Sequence, residues 1–167
     1  MKPVFVLITA KNCPGCIFFR KNTWKDLKQE LEKQNRVEIV TVDLPTTTSK
    51  PDTEKYHKDL VGFIGWFPTM SLFPGNRWHN KDSDLIGIIK NGKRVPPDGK
   101  IETVGTINKE ALSKEDIVKW VDYTLNNDKI FNKNNKNNGN GALKIDNDKY
   151  VVPTSGYYAK FKPSKFE

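Results

Sequence analysis

Two cysteines stand close together in this chain, as Cys13-Pro14-Gly15-Cys16, and they are its only ones. Two intervening residues in a helical turn bring the second sulfur within bonding reach of the first. A mixed disulfide formed at one can then be resolved by the other. Such exchange needs a thiolate, and the surroundings of the pair give a reason for one. A continuous apolar, β-branched run, Val4 to Ala10, leads into the motif, and an amphipathic pattern starts from about Gly15. The pair therefore lies between a buried strand and the first turn of a helix. There, unpaired backbone N–H groups and the positive end of the helix dipole favour negative charge on the first sulfur. A thiol of pKa about 8.5 is only a few per cent ionised at pH 7, and one lowered to about 7 is roughly half ionised. Cys13 is the expected nucleophile and Cys16 the resolving thiol, with Lys11 two residues upstream as a further source of positive charge.

Other chemistries for the same residues are a zinc site and a structural pair of buried thiols. Two cysteines with His57 and His79 suffice for zinc by count. The histidines fall in an expected helix and a polar loop, far from the close spacing of zinc ligands, so no metal is expected.

The 167 residues carry a net charge of +8 and a mean hydropathy of −0.67, which fits one domain with an extension. Two cysteines exclude a multi-bridge disulfide scaffold and a four-thiolate zinc centre. The apolar start, Pro3 to Ala10, is too short to span a membrane and lacks a small-residue cleavage site before Cys13. A soluble protein in a reducing compartment is expected, with no membrane partner.

Several elements must position the cysteines. Val4–Ala10 is the strand length that suits burial on both faces. Ile17, Trp24, Leu27 and Leu31 recur through a charged background and predict an amphipathic helix from about Gly15 to Gln34 with these four inward. Val37 to Val42 is a second strand. Ser49-Lys50-Pro51-Asp52 sets an N-cap serine, an early proline and an acid in register for a short helix ending near Val61 or Gly62. Met70 to Phe73 is a third strand, introduced by Trp66-Phe67-Pro68-Thr69. Gly75 to Asp84 is polar, and Arg77, Trp78 and His79 read as solvated loop residues. Either Leu85–Ile89 or Ile101–Ile107 can pair with the third strand, and the Asn91-Gly92 turn favours a hairpin starting at Leu85. Ser113 to Asp116 is a capping box for a last helix whose buried stripe is Ile117, Trp120, Val121 and Leu125.

The domain is expected to close at residue 125. Residues 126–149 are rich in Asn and Lys with few side chains to bury, the composition of a disordered linker. Residues 150–167 interleave Tyr150, Tyr157, Tyr158, Phe161 and Phe166 with lysines. This segment has the means to dock on its own domain, on a partner protein or on single-stranded nucleic acid. The 42 tail residues carry a net charge of +4, a weak footprint for nucleic acid, which is not an expected partner.

The strand that runs into CxxC at a helix start, the second βα unit, and Phe67-Pro68-Thr69 before the third strand together resemble the thioredoxin-like superfamily over residues 3 to 125. The resemblance implies an α/β fold with a central mixed sheet and flanking helices. It also implies a thiol–disulfide oxidoreductase without a cofactor, in which Cys13 and Cys16 are catalytic. Pro68 would be cis and sit beside the cysteines. The backbone of Phe67 would meet the extended chain of a substrate by strand addition, and Trp66, Phe67 and Thr69 would complete the substrate surface. Implied partners are protein disulfides or dithiols and a reductase or thiol oxidase as electron partner. Three departures qualify the match. Lys11-Asn12 precedes Cys13, and Pro14-Gly15 is nearer the Cys-Pro-x-Cys of glutaredoxins. Leu7 occupies the place of a buried acid of thioredoxins. Gly105-Thr106-Ile107-Asn108 does not match the glutathione-binding turn of glutaredoxins. Two alternatives follow, an interaction or scaffold protein with marginal redox activity and a glutathione-dependent enzyme. The heavy use of Asn and Lys suits an AT-rich genome such as that of a large DNA virus, in which case the cytoplasmic location expected here is host cytoplasm or the virion.

Overall fold

The computed structural model describes residues 1–64, 67–89, 93–94, 102–103, 113–127, 130–131, 142–145, 150–153 and 159–160. Strand β1 (Val4–Ala10) is an inner strand of a mixed sheet. On one side it pairs in parallel with β2 (Glu38–Leu44), Val4 opposite Glu38 and Ala10 opposite Leu44. On the other it pairs antiparallel with β3 (Thr69–Phe73), Ile8 opposite Thr69. β4 (Ile86–Ile89) lies antiparallel beyond β3, with Leu72 opposite Ile88. Of the two apolar runs open to β3, it is Leu85–Ile89 that takes the place.

All seven residues of β1 are buried, as the unbroken apolar run predicts. The pleat divides them. Val4, Val6, Ile8 and Ala10 join a core with Val42, Leu44, Leu60, Phe63 and Phe73. Phe5 and Leu7 face the opposite core, with Phe19, Leu27, Leu31, Trp120 and Val121. Helices and loops thus cover both faces, the usual setting of a parallel strand pair.

The parallel β1–β2 pair needs a crossover, supplied by one helical run in three parts: α1 (Pro14–Phe19), a π-helical turn (Arg20–Trp24) and α2 (Lys25–Gln34). Asn35 closes it in the left-handed region at φ 54°, its N–H bonded to the Leu31 carbonyl at 3.1 Å. The π turn overturns one expectation. Ile17 is 58% exposed, and the inward stripe is Cys16, Phe19, Leu27 and Leu31, with Trp24 half-buried against Phe5 and Phe19. A turn with i to i+5 bonding inserts one residue, so the face of Trp24 continues back to Phe19 and Cys16, where an unbroken α-helix would bring Ile17.

Two further expectations are corrected. No helix starts at Ser49. Its hydroxyl is held by Thr46, at 3.2 Å from the Thr46 N–H and 2.8 Å from the Thr46 hydroxyl, so it closes a turn and caps nothing. Asp52 accepts from the Glu54 N–H at 2.9 Å in a further turn. Only a 3-10 helix, Lys58–Phe63, follows, capped by His57, whose Nδ1 accepts the Asp59 N–H at 3.1 Å. Trp78 is not a loop residue in solvent: it ends the short helix α3 (Gly75–Trp78), buried and stacked on Phe73 at 5.4 Å between ring centroids. Arg77 bonds the Asp84 carbonyl at 3.2 Å and His79 the Glu38 carboxylate at 2.7 Å.

Helix α4 (Lys114–Asn127) forms as its capping box predicts, with the Ser113 hydroxyl accepting the Asp116 N–H at 3.2 Å. Ile117, Trp120, Val121 and Leu125 are buried. Two short antiparallel pairs also form, β5 (Lys93–Arg94) with β6 (Glu102–Thr103) and β7 (Ala142–Ile145) with β8 (Tyr150–Pro153). β9 (Ala159–Lys160) pairs with β4 at Ile86 and Gly87. Strand β7 thus lies inside the stretch expected to lack structure, at its apolar Ala142, Leu143 and Ile145. The rest of the 126–167 segment, apart from Asn126, Asn127, Ile130 and Phe131, and the Asn91-Gly92 turn lie outside the described residues. No helix among the described residues is long and apolar enough to cross a membrane.

One glycine position is filled by a neighbour. A Cβ on Gly87 would lie 2.2 Å from Phe73 Cε1 and 2.4 Å from Cδ1, and the Phe73 ring is itself held edge-on by Phe63 at 5.1 Å. Gly87→Ala is therefore expected to destabilise the protein by about 1 to 3 kcal/mol through overpacking. A urea midpoint equal to wild type would show that this close approach is not part of the solution structure.

Candidate redox site

β1 ends at Ala10, and three residues later Cys13 opens α1. Cys13 is the N-cap residue, with an extended backbone (φ −103°, ψ 110°), and Pro14 follows at the first helical position. Both choices suit a helix start, since proline lacks only an N–H that would be unbonded there. The unusual feature is the capping group. The Cys13 sulfur accepts the Cys16 N–H at 3.1 Å, the role a serine or aspartate oxygen commonly fills. The Cys13 carbonyl accepts from the Cys16 and Ile17 N–H groups, each at 3.1 Å. Both cysteines are free thiols.

The two cysteines differ in exposure, and burial bears on the acidity of Cys16. Cys16 is 1% exposed and packs in the core beneath β1, while Cys13 retains 8%. Burial, first of all, and its hydrogen bond with Cys13 push the Cys16 thiol up to about 12, although the Ala10 backbone and the Arg20 charge act the other way. Cys16 consequently stays protonated at neutral pH and acts as a donor toward Cys13. The less deeply buried of the two, set among helix N–H groups, is Cys13.

The opposite wall of the site comes from the chain entering β3. The Phe67–Pro68 peptide bond is cis, the isomer the resemblance implies. A Cβ placed on Gly15 would lie 3.9 Å from Cys13 Sγ and 3.9 Å from the Phe67 carbonyl oxygen, so Gly15 is bracketed by the two. Phe67 is half-buried against the same core as the cysteines, and Pro68 and Thr69 are buried. Cys13, Cys16, Phe67, Pro68 and Thr69 thus meet at one end of the sheet, where β1 finishes and β3 begins. Trp66 lies outside the described residues. Lys11 is exposed, its N–H bonded to the Leu44 carbonyl at 2.9 Å.

Leu7, in the place of the acid that the resemblance calls for, is fully buried. A charged network that sequence reasoning missed lies one turn beyond Cys16. Arg20 donates to the Thr9 hydroxyl at 2.5 Å and pairs with Asp43 at 3.4 Å, and Thr9 donates to Asp43 at 3.0 Å. Its signal was present: Thr9 is the one polar residue in the apolar run, and it stands opposite Asp43 in the parallel register. The histidines are engaged elsewhere. His57 is buried, bonded to the Asp59 N–H and, at 3.0 Å, to the Ser83 carbonyl, and His79 bonds Glu38. Among the described residues no group of three or more His, Cys, Asp and Glu is arranged to hold a metal ion.

Compared with protein-family models, curated proteins and solved structures, the chain matches none.

The unequal thiols carry a direct test. Iodoacetamide applied to the reduced protein at neutral pH should label Cys13 and leave the more deeply buried Cys16 unlabelled. Because the Cys16 pKa is raised to about 12, its labelling should begin only as the pH approaches that value. Equal labelling of both residues at neutral pH, read by peptide mass mapping, would contradict this arrangement.

Proposed function

We propose that the chain is a thiol–disulfide oxidoreductase with a thioredoxin-like fold, working on protein disulfides from the cytoplasm. The observation that carries the reading is the capping geometry: the sulfur of Cys13, at a helix start, accepts the N–H of the more deeply buried Cys16 at 3.1 Å. The fold part is supported by the strand order β2-β1-β3-β4 with a parallel β1–β2 pair, antiparallel β3 and β4, the CxxC helix as the crossover, and a closing helix α4.

In the reducing direction the Cys13 thiolate attacks one sulfur of the substrate disulfide. A bond forms from Cys13 Sγ to that sulfur, and the other substrate sulfur leaves as a thiolate. Cys16 gives up its proton to the departing thiolate and attacks Cys13 Sγ. The second substrate sulfur leaves and takes up a proton from water. The protein ends as the Cys13–Cys16 disulfide, two electrons poorer, and the substrate as two thiols. Since Cys16 is held protonated until this second step, it does not compete with Cys13 for the first attack. The Phe67 carbonyl, beside the attack site, is a backbone acceptor for an N–H of the substrate chain. An electron partner, a reductase or a thiol oxidase, resets the pair and sets the direction of flow.

The roles separate in two variants. Cys13→Ser should lower the rate of protein-disulfide reduction by about a thousandfold or more, because a hydroxyl is not ionised in this range and supplies no exchangeable sulfur. Cys16→Ser should retain the first attack and accumulate a mixed disulfide between Cys13 and the substrate, detectable by non-reducing electrophoresis. A Cys13→Ser protein as active as wild type would overturn the proposal and leave the scaffold reading in its place.

A further inference from the structure

The residues that follow Cys16 are apolar and face water. Ile17 is 58% and Phe18 63% exposed, in a chain whose other large apolar side chains are buried or half-buried apart from Met1 and Tyr123 among the described residues. The π turn that draws Cys16 and Phe19 inward is what leaves these two outside. They lie one helical turn beyond Cys13, whose carbonyl accepts the Ile17 N–H at 3.1 Å.

The charge just before and after them in the chain is positive, up to the first acid at Asp26. From Lys11 to Lys25 the sequence holds four cations and no acid. Arg20 is committed to Asp43, whereas Lys11, Lys21 and Lys25 are exposed and make no ion pair among the described residues. Lys21 follows Ile17 and Phe18 by four and three residues, the spacing of neighbours on a helix surface. On the other flank Thr47 donates to the Asn12 side chain at 3.0 Å, and the loop it belongs to, Pro45 to Ser49, is uncharged. An exposed apolar pair one helical turn from Cys13, on a stretch of chain that carries three exposed lysines, suits a polypeptide that carries an apolar residue and acidic side chains. It does not suit a basic polypeptide, because like charges would face one another across the contact.

Resting on the oxidoreductase reading, we propose that the substrates are polypeptide disulfides whose reactive cysteine is flanked by an apolar residue and by Asp or Glu. The apolar residue docks on Ile17 and Phe18, and the acids face Lys11, Lys21 and Lys25. The exchange itself is the balanced two-electron step already given, in which the reduced Cys13–Cys16 pair is the sole reductant.

The test is single turnover of pre-reduced full-length protein against three disulfides. These are hydroxyethyl disulfide, which is small and neutral, and two peptide disulfides with the same apolar neighbour, one flanked by Glu and one by Lys. At low ionic strength the acidic peptide should react about tenfold faster than the basic one, the scale expected of electrostatic steering. Added salt should erase most of that advantage. A Lys11→Gln, Lys21→Gln, Lys25→Gln variant should lose the acidic preference. An Ile17→Ser, Phe18→Ser variant should lower the rate for both peptides relative to hydroxyethyl disulfide by about five- to tenfold, since two partly buried apolar contacts are removed. All five positions are exposed, so folding is not the issue.

Equal rates for the two peptides, or a faster basic peptide, would overturn the charge assignment. Unchanged relative rates in the Ile17, Phe18 variant would overturn the docking surface. If hydroxyethyl disulfide reacts and the peptides show neither effect, the substrate inference fails while the oxidoreductase reading stands. If wild type reduces none of the three, the oxidoreductase reading fails first. A concentration-dependent dimer that the Ile17, Phe18 variant abolishes would assign the surface to a second copy of this chain and overturn the substrate proposal.

Discussion

The contact between the Cys16 N–H and the Cys13 sulfur organises this end of the molecule. To make it, Cys13 must occupy the N-cap of α1 with extended backbone, Pro14 must begin the helix, and Cys16 must be drawn under the sheet. Each demand is met by a different part of the chain. β1 delivers Cys13 to the edge of the core, and the π turn rotates Cys16 inward. The segment entering β3 closes the far side with the Phe67 carbonyl. Burial acts hardest on Cys16, which at 1% exposure is pushed up to about 12, while Cys13 keeps 8%.

The same turn links packing to surface chemistry. A helix that met the core with Ile17 would rotate Cys16 toward the side of the helix and cover the apolar face that is exposed here. Inserting one residue at Arg20–Trp24 buries Cys16 and turns Ile17 and Phe18 outward in one operation. It also sets Arg20 where it meets Thr9 and Asp43, so a cation is anchored near Cys16 although no acid stands at Leu7. Arg20 acts to lower the Cys16 pKa, but burial outweighs it.

Much of this was legible in the residues. The seven-residue apolar run, the Cys-Pro-Gly-Cys step and the Ser113 capping box each carry a local physical signal, and each forms the element it predicts. What failed did so for identifiable reasons. Ile17, Trp24, Leu27 and Leu31 fit a 3.6-residue period, and a period cannot reveal that the helix breaks it by one residue. Ser49 has the chemistry of a helix cap, but Thr46 competes for the same hydroxyl and wins. Trp78 lies in polar text, and only the long-range packing of Phe73 against it gives it a buried place. The meeting of Phe67 with Cys13 joins residues more than fifty positions apart and came from family resemblance, since no local pattern encodes it.

The central claim is that Cys13 and Cys16 form a single two-electron couple. A redox titration of the full chain in glutathione or dithiothreitol buffers, read by the mass of the intact protein after acid quench and alkylation, tests it most directly. The account predicts one transition between a doubly alkylated form and an unalkylated internal disulfide, following a two-electron Nernst curve. Thiols that remain independently alkylated at every poise, with no internal disulfide formed, would contradict it.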